Sequence, residues 1–208
     1  MIRGLYTSGW SMLANEKKMD VISNNLANAS TNAFKKDTVV LEAFPEILTR
    51  RLNDTRSNSN PSGRIGTMQL SSDVGEVFTY YNQGQLVKTE SDFDFAINGA
   101  DTAFFTVLAP GQDGVVKEYY TRDGAFSLNR NNQLVTKDGY PVMGERGGIY
   151  LENGPFVVER DGTVIQNGRR IDRLLIRQFA DGSGLRKYGS NLVESIDGAQ
   201  QVNFTGTV

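Results

Sequence analysis

The first 36 residues carry a heptad repeat of large apolar side chains, and this repeat constrains the fold more than any other feature. Its four members, which we call the heptad stripe, are Leu5, Met12, Met19 and Leu26. Ile2 and Gly9 lie three residues before the first two members, on the companion position of the same frame. The period predicts one amphipathic helix of about seven turns, roughly 38 Å long. Since most helix stability comes from packing the apolar face, this helix requires a partner.

The source of that partner is open at the sequence level. Glu16 and Ser23 occupy apolar positions of the frame, so a long self-sufficient coiled coil is not specified. Packing on the rest of the chain is one alternative, but the polar run at residues 53–63 separates the two, and no other segment carries a matching stripe. We therefore expect the helix to fray alone or to pack against a neighbouring molecule.

A run of polar residues from Asn24 to Asn32 follows the stripe. Asn, Ser and Thr side chains bond to their own backbone and compete with helical hydrogen bonding. The run therefore predicts that the helix stops here and that an extended chain follows. A polar stop signal is the simplest interpretation of this composition.

The chain contains neither cysteine nor histidine. This removes thiolate metal sites, thiol nucleophiles, histidine acid–base catalysis and the Ser-His-Asp triad. We predict no catalytic, cofactor-binding or metal-binding residue, and no enzyme. The net charge of −2 gives no general attraction to nucleic acid. There is no apolar run long enough to enter a membrane directly, and we expect no conventional signal peptide.

From Gly66 onward the pattern changes from helical to strand-and-turn. Six Asp-Gly and three Asn-Gly pairs occur, all beyond residue 97. Such pairs favour type I′ hairpin turns, because both central residues need positive φ angles. Phe93, Phe95 and Ile97 alternate with polar residues and predict a buried face. A hairpin is predicted from Glu159 to Val164.

The predicted fold class is mainly β with an N-terminal α-helix: an antiparallel β-meander or barrel-like domain plus a helical assembly segment. Residues 38–44 suit a strand or a short helix, with the extended form preferred, and residues 45–52 predict a short helix. The predicted domains are an assembly helix with an Asn-rich signature (1–36), an extended segment with a linker or mobile loop (37–66), a β-rich domain (67–197) and a tail (198–208).

The Asn-rich run closely resembles the signature of the flagellar rod and hook proteins, the axial proteins of the bacterial flagellum. That signature reads roughly Asn-Asn-Leu-Ala-Asn-x-x-Thr-x-Gly-Phe/Tyr-Lys. The matching residues are Asn24, Asn25, Leu26, Ala27, Asn28, Thr31, Phe34 and Lys35. Ala33 stands where the family usually has glycine. Glycine often marks a positive φ angle, which alanine adopts at some cost.

A second resemblance lies in the β-rich part. The family's Tyr-Thr-Arg-Asp-Gly turn motif is matched by Tyr120, Thr121, Arg122, Asp123 and Gly124. We interpret it as a hairpin turn with a local charge pair, in which Arg122 bonds to a neighbouring strand and fixes its register. The resemblance extends over residues 1–193 with the motif order preserved, and is greatest to the distal rod members of the family.

The resemblance implies a structural, self-assembling, non-catalytic component of the flagellar basal-body rod, a shaft that transmits torque. The implied partners are further copies in a helical array, other rod and hook proteins, and the flagellar type III export apparatus. The implied location is the basal body, after export across the cell envelope. The residues assigned to helix assembly are Ile2 and the heptad stripe. In the family a C-terminal helix pairs with the N-terminal one, and the tail at 198–208 stops before such a helix.

Two other functions stay open. A secreted β-domain binding module, such as an adhesin or carbohydrate binder, would need an exposed aromatic groove. A hydrolase would need two carboxylates roughly 5–10 Å apart in a cleft, whereas those of this chain are scattered. Asp92, Asp94, Asn98 and Asp101 are close in sequence but do not fit the twelve-residue calcium loop.

Overall fold

The structure, a computed structural model, describes residues 2–43, 45–50, 64–69, 72–152, 154–196 and 199–208. Its contacts divide the chain into two units. The first unit comprises Met1–Ala27 and Asp37–Thr79, and the second comprises Asn28–Lys36 and Tyr80–Val208. Units defined by contacts are not the same as independently folding domains, so the predicted domain bounds stay a prediction.

The first unit consists of one helix and two strand pairs. Helix α1 spans Ile2–Ala27, which confirms the predicted helix and its end in the Asn-rich run. The strands are β1 Asp37–Ala43, β2 Ile47–Arg50, β3 Arg64–Met68 and β4 Ser72–Thr79. β1 pairs antiparallel with β4, and β2 pairs antiparallel with β3. The extended form preferred for residues 38–44 is therefore confirmed.

The short helix predicted for residues 45–52 is wrong, because residues 47–50 form strand β2. Two of its four residues, Ile47 and Thr49, are β-branched and favour strands. Pairing with β3 then supplies backbone hydrogen bonds that a one-turn helix lacks. The linker predicted at residues 53–63 lies outside the described residues.

Helix α1 contacts β1 and β4, and its least exposed side chains are small or short. Ala14 is 4% exposed, and Thr7, Ser11 and Val21 are half-buried at helical spacing from it. Ala14 follows Met12 by two residues, which corresponds to about 200° around a helix. The face of α1 that packs within the first unit therefore lies opposite the heptad stripe.

The second unit contains thirteen short strands among its described residues. They are β5 Ala103–Pro110, β6 Val116–Thr121, β7 Phe126–Leu128, β8 Leu134–Thr136, β9 Met143–Gly144, β10 Gly147–Gly148, β11 Phe156–Val158, β12 Thr163–Gln166, β13 Arg169–Arg173, β14 Ile176–Phe179, β15 Leu185–Tyr188, β16 Leu192–Ser195 and β17 Gln201–Val202. The largest sheet has six antiparallel strands in the order β15-β16-β6-β5-β14-β17. The others are β11-β12-β13, β7-β8 and β9-β10. The mainly β class with one N-terminal helix and antiparallel sheets is confirmed.

Strand β5 is the centre of the second unit's core. Phe105 and Val107 belong to one buried cluster, and Phe104 belongs to a second cluster. Alternate residues of β5 therefore serve two apolar layers, as the two-residue period of a strand requires. This explains why five of the six residues from 103 to 108 are apolar.

The predicted inward face at residues 93–97 is confirmed, although the segment forms only an isolated bridge at Asp94 rather than a strand. Ile97 is buried, and Phe93 and Phe95 pack against the larger cluster. Their ring contacts with Phe156, at 5.1 and 6.1 Å between centroids, hold the segment against β11. Side-chain alternation thus predicted burial here without ladder hydrogen bonds.

The turn predictions have mixed outcomes. The hairpin from Glu159 to Val164 is confirmed, since β11 pairs with β12 across it. Asn167 and Gly168 both have positive φ, 52° and 73°, as a type I′ turn requires. The hairpin at Arg122–Gly124 is wrong, because β6 pairs with β5 and β16, whereas β7 pairs with β8. The chain passes there from one sheet to another.

The described part of the tail packs on the second unit. β17 pairs with β14, and the backbone of Thr207 exchanges two hydrogen bonds with that of Asn98, at 2.7 and 2.9 Å. These contacts place the described end of the chain beside the start of β5.

Gly124 approaches the backbone of Phe95 so closely that a Cβ atom would overlap the Phe95 carbonyl. The two residues are also joined by a hydrogen bond from Phe95 N to Gly124 O at 3.0 Å, so neither backbone can move away freely. We expect Gly124→Ala to lower the free energy of unfolding by about 3 kcal/mol, the upper range for overpacking. Urea titration followed by circular dichroism measures this change.

Gly84→Ala is the matched control, because a Cβ there meets no atom within 4 Å. We expect its free energy of unfolding to change by less than about 0.5 kcal/mol. Equal urea midpoints for the two variants would show that the close approach at Gly124 is absent.

Candidate functional site

The heptad stripe lies exposed on α1. Leu5, Met12, Met19 and Leu26 are 72%, 71%, 60% and 74% exposed. Tyr6, Leu13 and Ile22, which widen the stripe, are exposed as well. Ile2 is the first residue of the helix. The structure thus leaves the heptad stripe exposed, while the opposite face of the helix packs within the first unit.

An apolar face of this kind is costly in water. Burying one Leu or Met side chain contributes about 2 kcal/mol, and the stripe offers four such side chains in line. Contiguous exposed apolar residues mark association surfaces in soluble proteins. The first unit has little core to offset this exposure, since Ala14 is its only fully buried side chain among the described residues.

The end of α1 is joined to the start of β1 by Asn25. Its amide nitrogen donates to the carbonyl of Asp37 at 2.8 Å, and its amide oxygen accepts from Asp37 N at 3.1 Å. Thr79 of β4 donates to the Asp37 carboxylate at 2.7 Å. Asn24, Leu26 and Ala27 occupy the same last turn and are exposed. The side-chain amide of Asn25 thus bonds to the backbone of Asp37, the first residue of β1, in the way that the backbone of a neighbouring strand would.

Residues Asn28–Lys36, which we call the strap, follow α1 and belong to the second unit. Thr31 N donates to Asn28 O at 3.0 Å, and the Thr31 hydroxyl contacts the Asn28 side chain at 3.2 Å. Ala33 has a φ of 60°, the left-handed conformation that glycine adopts more easily. Ala33 thus has the positive φ angle that is expected at this position from the glycine of the family's signature.

Lys35 is a buried cation that binds backbone carbonyls. It is 8% exposed, and its Nζ donates to Tyr81 O at 3.0 Å and to Asn82 O at 2.8 Å. Burial, followed by repulsion from Arg122, lowers the pKa of Lys35 from 10.5 to about 8, while Asp101 opposes the shift. The signature lysine is thus held by neutral acceptors.

Arg122 binds three carbonyls at the entry to β5. Its guanidinium donates to Ile97 O at 3.0 Å, to Ala100 O at 2.6 Å and to Ala103 O. Burial lowers the pKa of Arg122, against attraction by Asp101. Because Ala103 begins β5, the predicted bond to a neighbouring strand is present. Among the described contacts, the predicted charge pair with Asp123 is not.

The remaining motif residues fix the same region. Asp123 accepts from Ala125 N at 3.1 Å and from the Asn191 side chain at 3.2 Å. The hydroxyl of Thr121 donates to Asn191 O at 2.9 Å. Tyr120 is buried and meets Phe179 edge-on, with centroids 5.1 Å apart. All of these contacts are structural, and none brings a nucleophile together with a base.

A groove in the second unit brings the two motifs together. It encloses about 630 Å³ and is lined in part by Thr31, Phe34 and Lys35 of the strap and by Arg122 and Asp123. Of the three cations in this lining, Lys35 and Arg122 are already bound to carbonyls, and Lys88 is the third. Across the described part of the chain, no group of three or more His, Cys, Asp or Glu residues is placed to hold a metal ion. No described helix has the length and apolar character needed to cross a bilayer.

Sequence reasoning missed the partners of Lys35 and of the strap. Tyr81, Asn82 and Lys187 belong to segments without a recognisable motif, and nothing local in the sequence marks them. Lys187 donates to Lys35 O at 2.6 Å and lies 4.2 Å above the Phe34 ring. Only the fold brings these residues together.

Ala33→Gly is expected to stabilise the protein. A left-handed alanine costs about 1–2 kcal/mol, and the greater freedom of glycine in the unfolded chain offsets about 0.4–1 kcal/mol. We expect a net gain of about 0.5–1 kcal/mol, measured by urea unfolding. Ala29→Gly in the same turn is the control, because the φ of Ala29 is not positive, and it should lose stability. A loss in both variants would refute the strain at Ala33.

Because burial lowers its pKa, Lys35 should make the protein more stable as the pH rises above about 8. Because its pKa is about 8 in the folded protein and 10.5 ordinarily, unfolding takes up a proton between these values, and the free energy of unfolding rises with pH in that window. The destabilisation caused by Lys35→Met should therefore be larger at pH 10 than at pH 7.5. Urea unfolding at both pH values measures it, with the exposed Lys137→Met as control. A constant difference between wild type and Lys35→Met would refute the lowered pKa.

Comparison with known proteins gives two matches to family models. Residues 5–35 match "Flagella basal body rod protein", and residues 96–166 match "Flagellar hook protein FlgE/F/G D1 domain". The first match contains the heptad stripe and the signature, and the second extends from the loop before β5 to the end of β12.

Curated relatives match over nearly the whole chain. The flagellar basal-body rod protein FlgG of Buchnera aphidicola subsp. Schizaphis graminum is 38% identical over 99% of this chain and 82% of its own length. The flagellar basal-body rod protein FlgF of Caulobacter vibrioides is 33% identical over 92% and 72%. The flagellar hook-basal body complex protein FlhO of Bacillus subtilis is 31% identical over 92% and 73%. The chain therefore belongs to the family of flagellar basal-body rod proteins.

Proposed function

We propose that this chain is a structural subunit of the flagellar basal-body rod that acts by packing rather than by catalysis. The exposed heptad stripe of α1 carries the proposal. One face of the helix packs within the first unit, and the opposite apolar face is exposed and suits contact with another molecule. Its relatives are named as basal-body rod proteins, which supports a location in the flagellar basal body. They give no support to the adhesin or carbohydrate-binding alternative.

The stripe of one copy packs against the helices of neighbouring copies. The same patch repeated along a shaft makes head-to-tail contacts that do not close into a ring, and such contacts generate a helical array. Large side chains on this face interlock, whereas the small side chains around Ala14 allow close approach to the β1–β4 pair. The second unit, with its two buried clusters, supplies the stiffness that torque transmission requires.

The proposed partners follow from this mechanism. They are further copies of the chain, the other rod and hook proteins that adjoin the shaft, and the flagellar export apparatus that delivers the subunit across the cell envelope. The relatives' names place them in the basal body or in the hook-basal body complex, and support the first two. No partner in this set is a nucleic acid or a substrate.

Met19→Asp tests the role of the stripe in a strain that lacks its own copy of the gene. A buried carboxylate without a partner is strongly unfavourable, so we expect at least a tenfold loss of the chain from purified basal bodies, with loss of swimming. Mass spectrometry of the basal bodies measures the first effect, and Leu5→Asp should behave in the same way. Circular dichroism of the isolated variants should show a folded β-rich part.

Lys17→Asp is a stringent control for this experiment. It places the same side chain on an exposed position of α1 that lies off the stripe, and changes the charge by one unit more than Met19→Asp does. Normal incorporation of Lys17→Asp together with loss of Met19→Asp supports the stripe. Normal basal bodies and swimming with Met19→Asp would refute helix packing through this face.

A further inference from the structure

We propose that Lys35 and Lys187 form a two-sided clamp that holds the strap, the segment that directly follows the assembly helix, on the rest of the second unit. The clamp itself is a property of the isolated chain. Its role in assembly rests on the function proposed above.

The first side of the clamp is the Lys35 side chain. It leaves the strap and donates to the carbonyls of two consecutive residues, Tyr81 and Asn82, where the chain re-enters the second unit after β4. A charged donor makes stronger hydrogen bonds than a neutral one. One side chain therefore ties the strap to a segment 46 and 47 residues further along the chain.

The second side of the clamp reaches the strap in the opposite direction. Lys187 of β15 donates to the backbone carbonyl of Lys35 at 2.6 Å, and its ammonium lies 4.2 Å from the centroid of the Phe34 ring. A cation over an aromatic face is attracted by the ring quadrupole. The strap is thus held both through its side chains and through its main chain, and two signature residues, Phe34 and Lys35, take part.

The side of the clamp that faces Arg122 and Phe104 leaves little room for water, whereas Phe34 and Lys35 also border the groove described above. Lys35, Lys187, Arg122 and Phe104 line a common cavity of only about 10 Å³, which is space for about one water molecule. A buried carbonyl that loses its donor there stays unsatisfied, and unsatisfied buried polar groups are unfavourable. This cost applies most to the bond from Lys35 to Tyr81, since both of these residues are buried.

The strap's exit is held in the same place. Tyr80 N donates to Lys36 O at 3.0 Å, directly beside the clamp, and Lys36 Nζ lies 5.2 Å from the centroid of the Tyr80 ring. The chain leaves the strap at Asp37 for β1 and reaches it from α1 at Ala27. The clamp therefore acts on the segment that connects the end of α1 to the start of β1.

Amide hydrogen exchange on the full isolated chain tests the clamp. The reporters are the Tyr80 amide and the strap amides of Thr31 and Phe34, which all donate within this region. In Lys35→Met we expect their exchange to become at least tenfold faster, while the amides of β5 exchange as in the wild type. Lys137→Met, which removes an exposed lysine elsewhere in the same unit, should change none of them.

Lys187→Met is the second variant and decides the outcome if Lys35→Met unfolds the whole unit, which faster exchange in β5 would reveal. It leaves both Lys35 bonds to Tyr81 and Asn82 possible and should still accelerate strap exchange. The double variant should exchange more slowly than the product of the two single effects, because the clamp is already open in either one. Wild-type exchange of the strap in both single variants, or independent effects, would overturn the clamp.

The assembly role has a separate readout. Lys187→Met should reduce incorporation into basal bodies although the heptad stripe is intact. Faster strap exchange with normal incorporation would overturn the role of the clamp in assembly but leave the proposed rod function standing. Absence of the wild-type chain from basal bodies would overturn the rod function but leave the exchange result standing.

Discussion

The interaction on which the signature region depends is a buried ammonium bound by neutral oxygens. A charge is removed from water only at considerable cost, and Lys35 meets that cost with two backbone carbonyls and the field of Asp101, against repulsion from Arg122. The carbonyls do not titrate, but the lysine does: its pKa of about 8 means that the ammonium loses its charge above that pH. Arg122 repeats the same solution at the entry to β5. Lys35 and Arg122 thus bind backbone carbonyls in segments that lie mostly outside the strands.

The sequence predicted well what depends on local periodicity. The heptad stripe located α1, the Asn-rich run located its end, and the alternation of Phe93, Phe95 and Ile97 located a buried face. It failed for residues 47–50, because a short apolar segment fits a strand or a helix turn equally well, and the pairing partner β3 lies beyond a long polar run.

The site was less predictable than the fold, because its contacts also depend on residues that lie far apart in the sequence. Lys35 could be recognised as part of a signature, but its bonding partners lie 46, 47 and 152 residues away and carry no pattern of their own. The Asp-Gly pair after Arg122 is a strong local turn signal, yet β16 pairs with β6 from about seventy residues later and redirects the chain. Local chemistry specifies turns, and distant strands decide what the turns connect.

Helix α1 has two opposite faces that carry side chains of different sizes. The face that packs within the first unit carries Ala14 and the half-buried Thr7, Ser11 and Val21, whereas the opposite face carries large exposed side chains such as Leu5 and Met12. Only a few positions lie between these two faces, and they include the exposed charged residues Lys17 and Asp20. A substitution on α1 therefore has a different consequence on each side: it alters packing within the first unit on one side and the exposed apolar surface on the other.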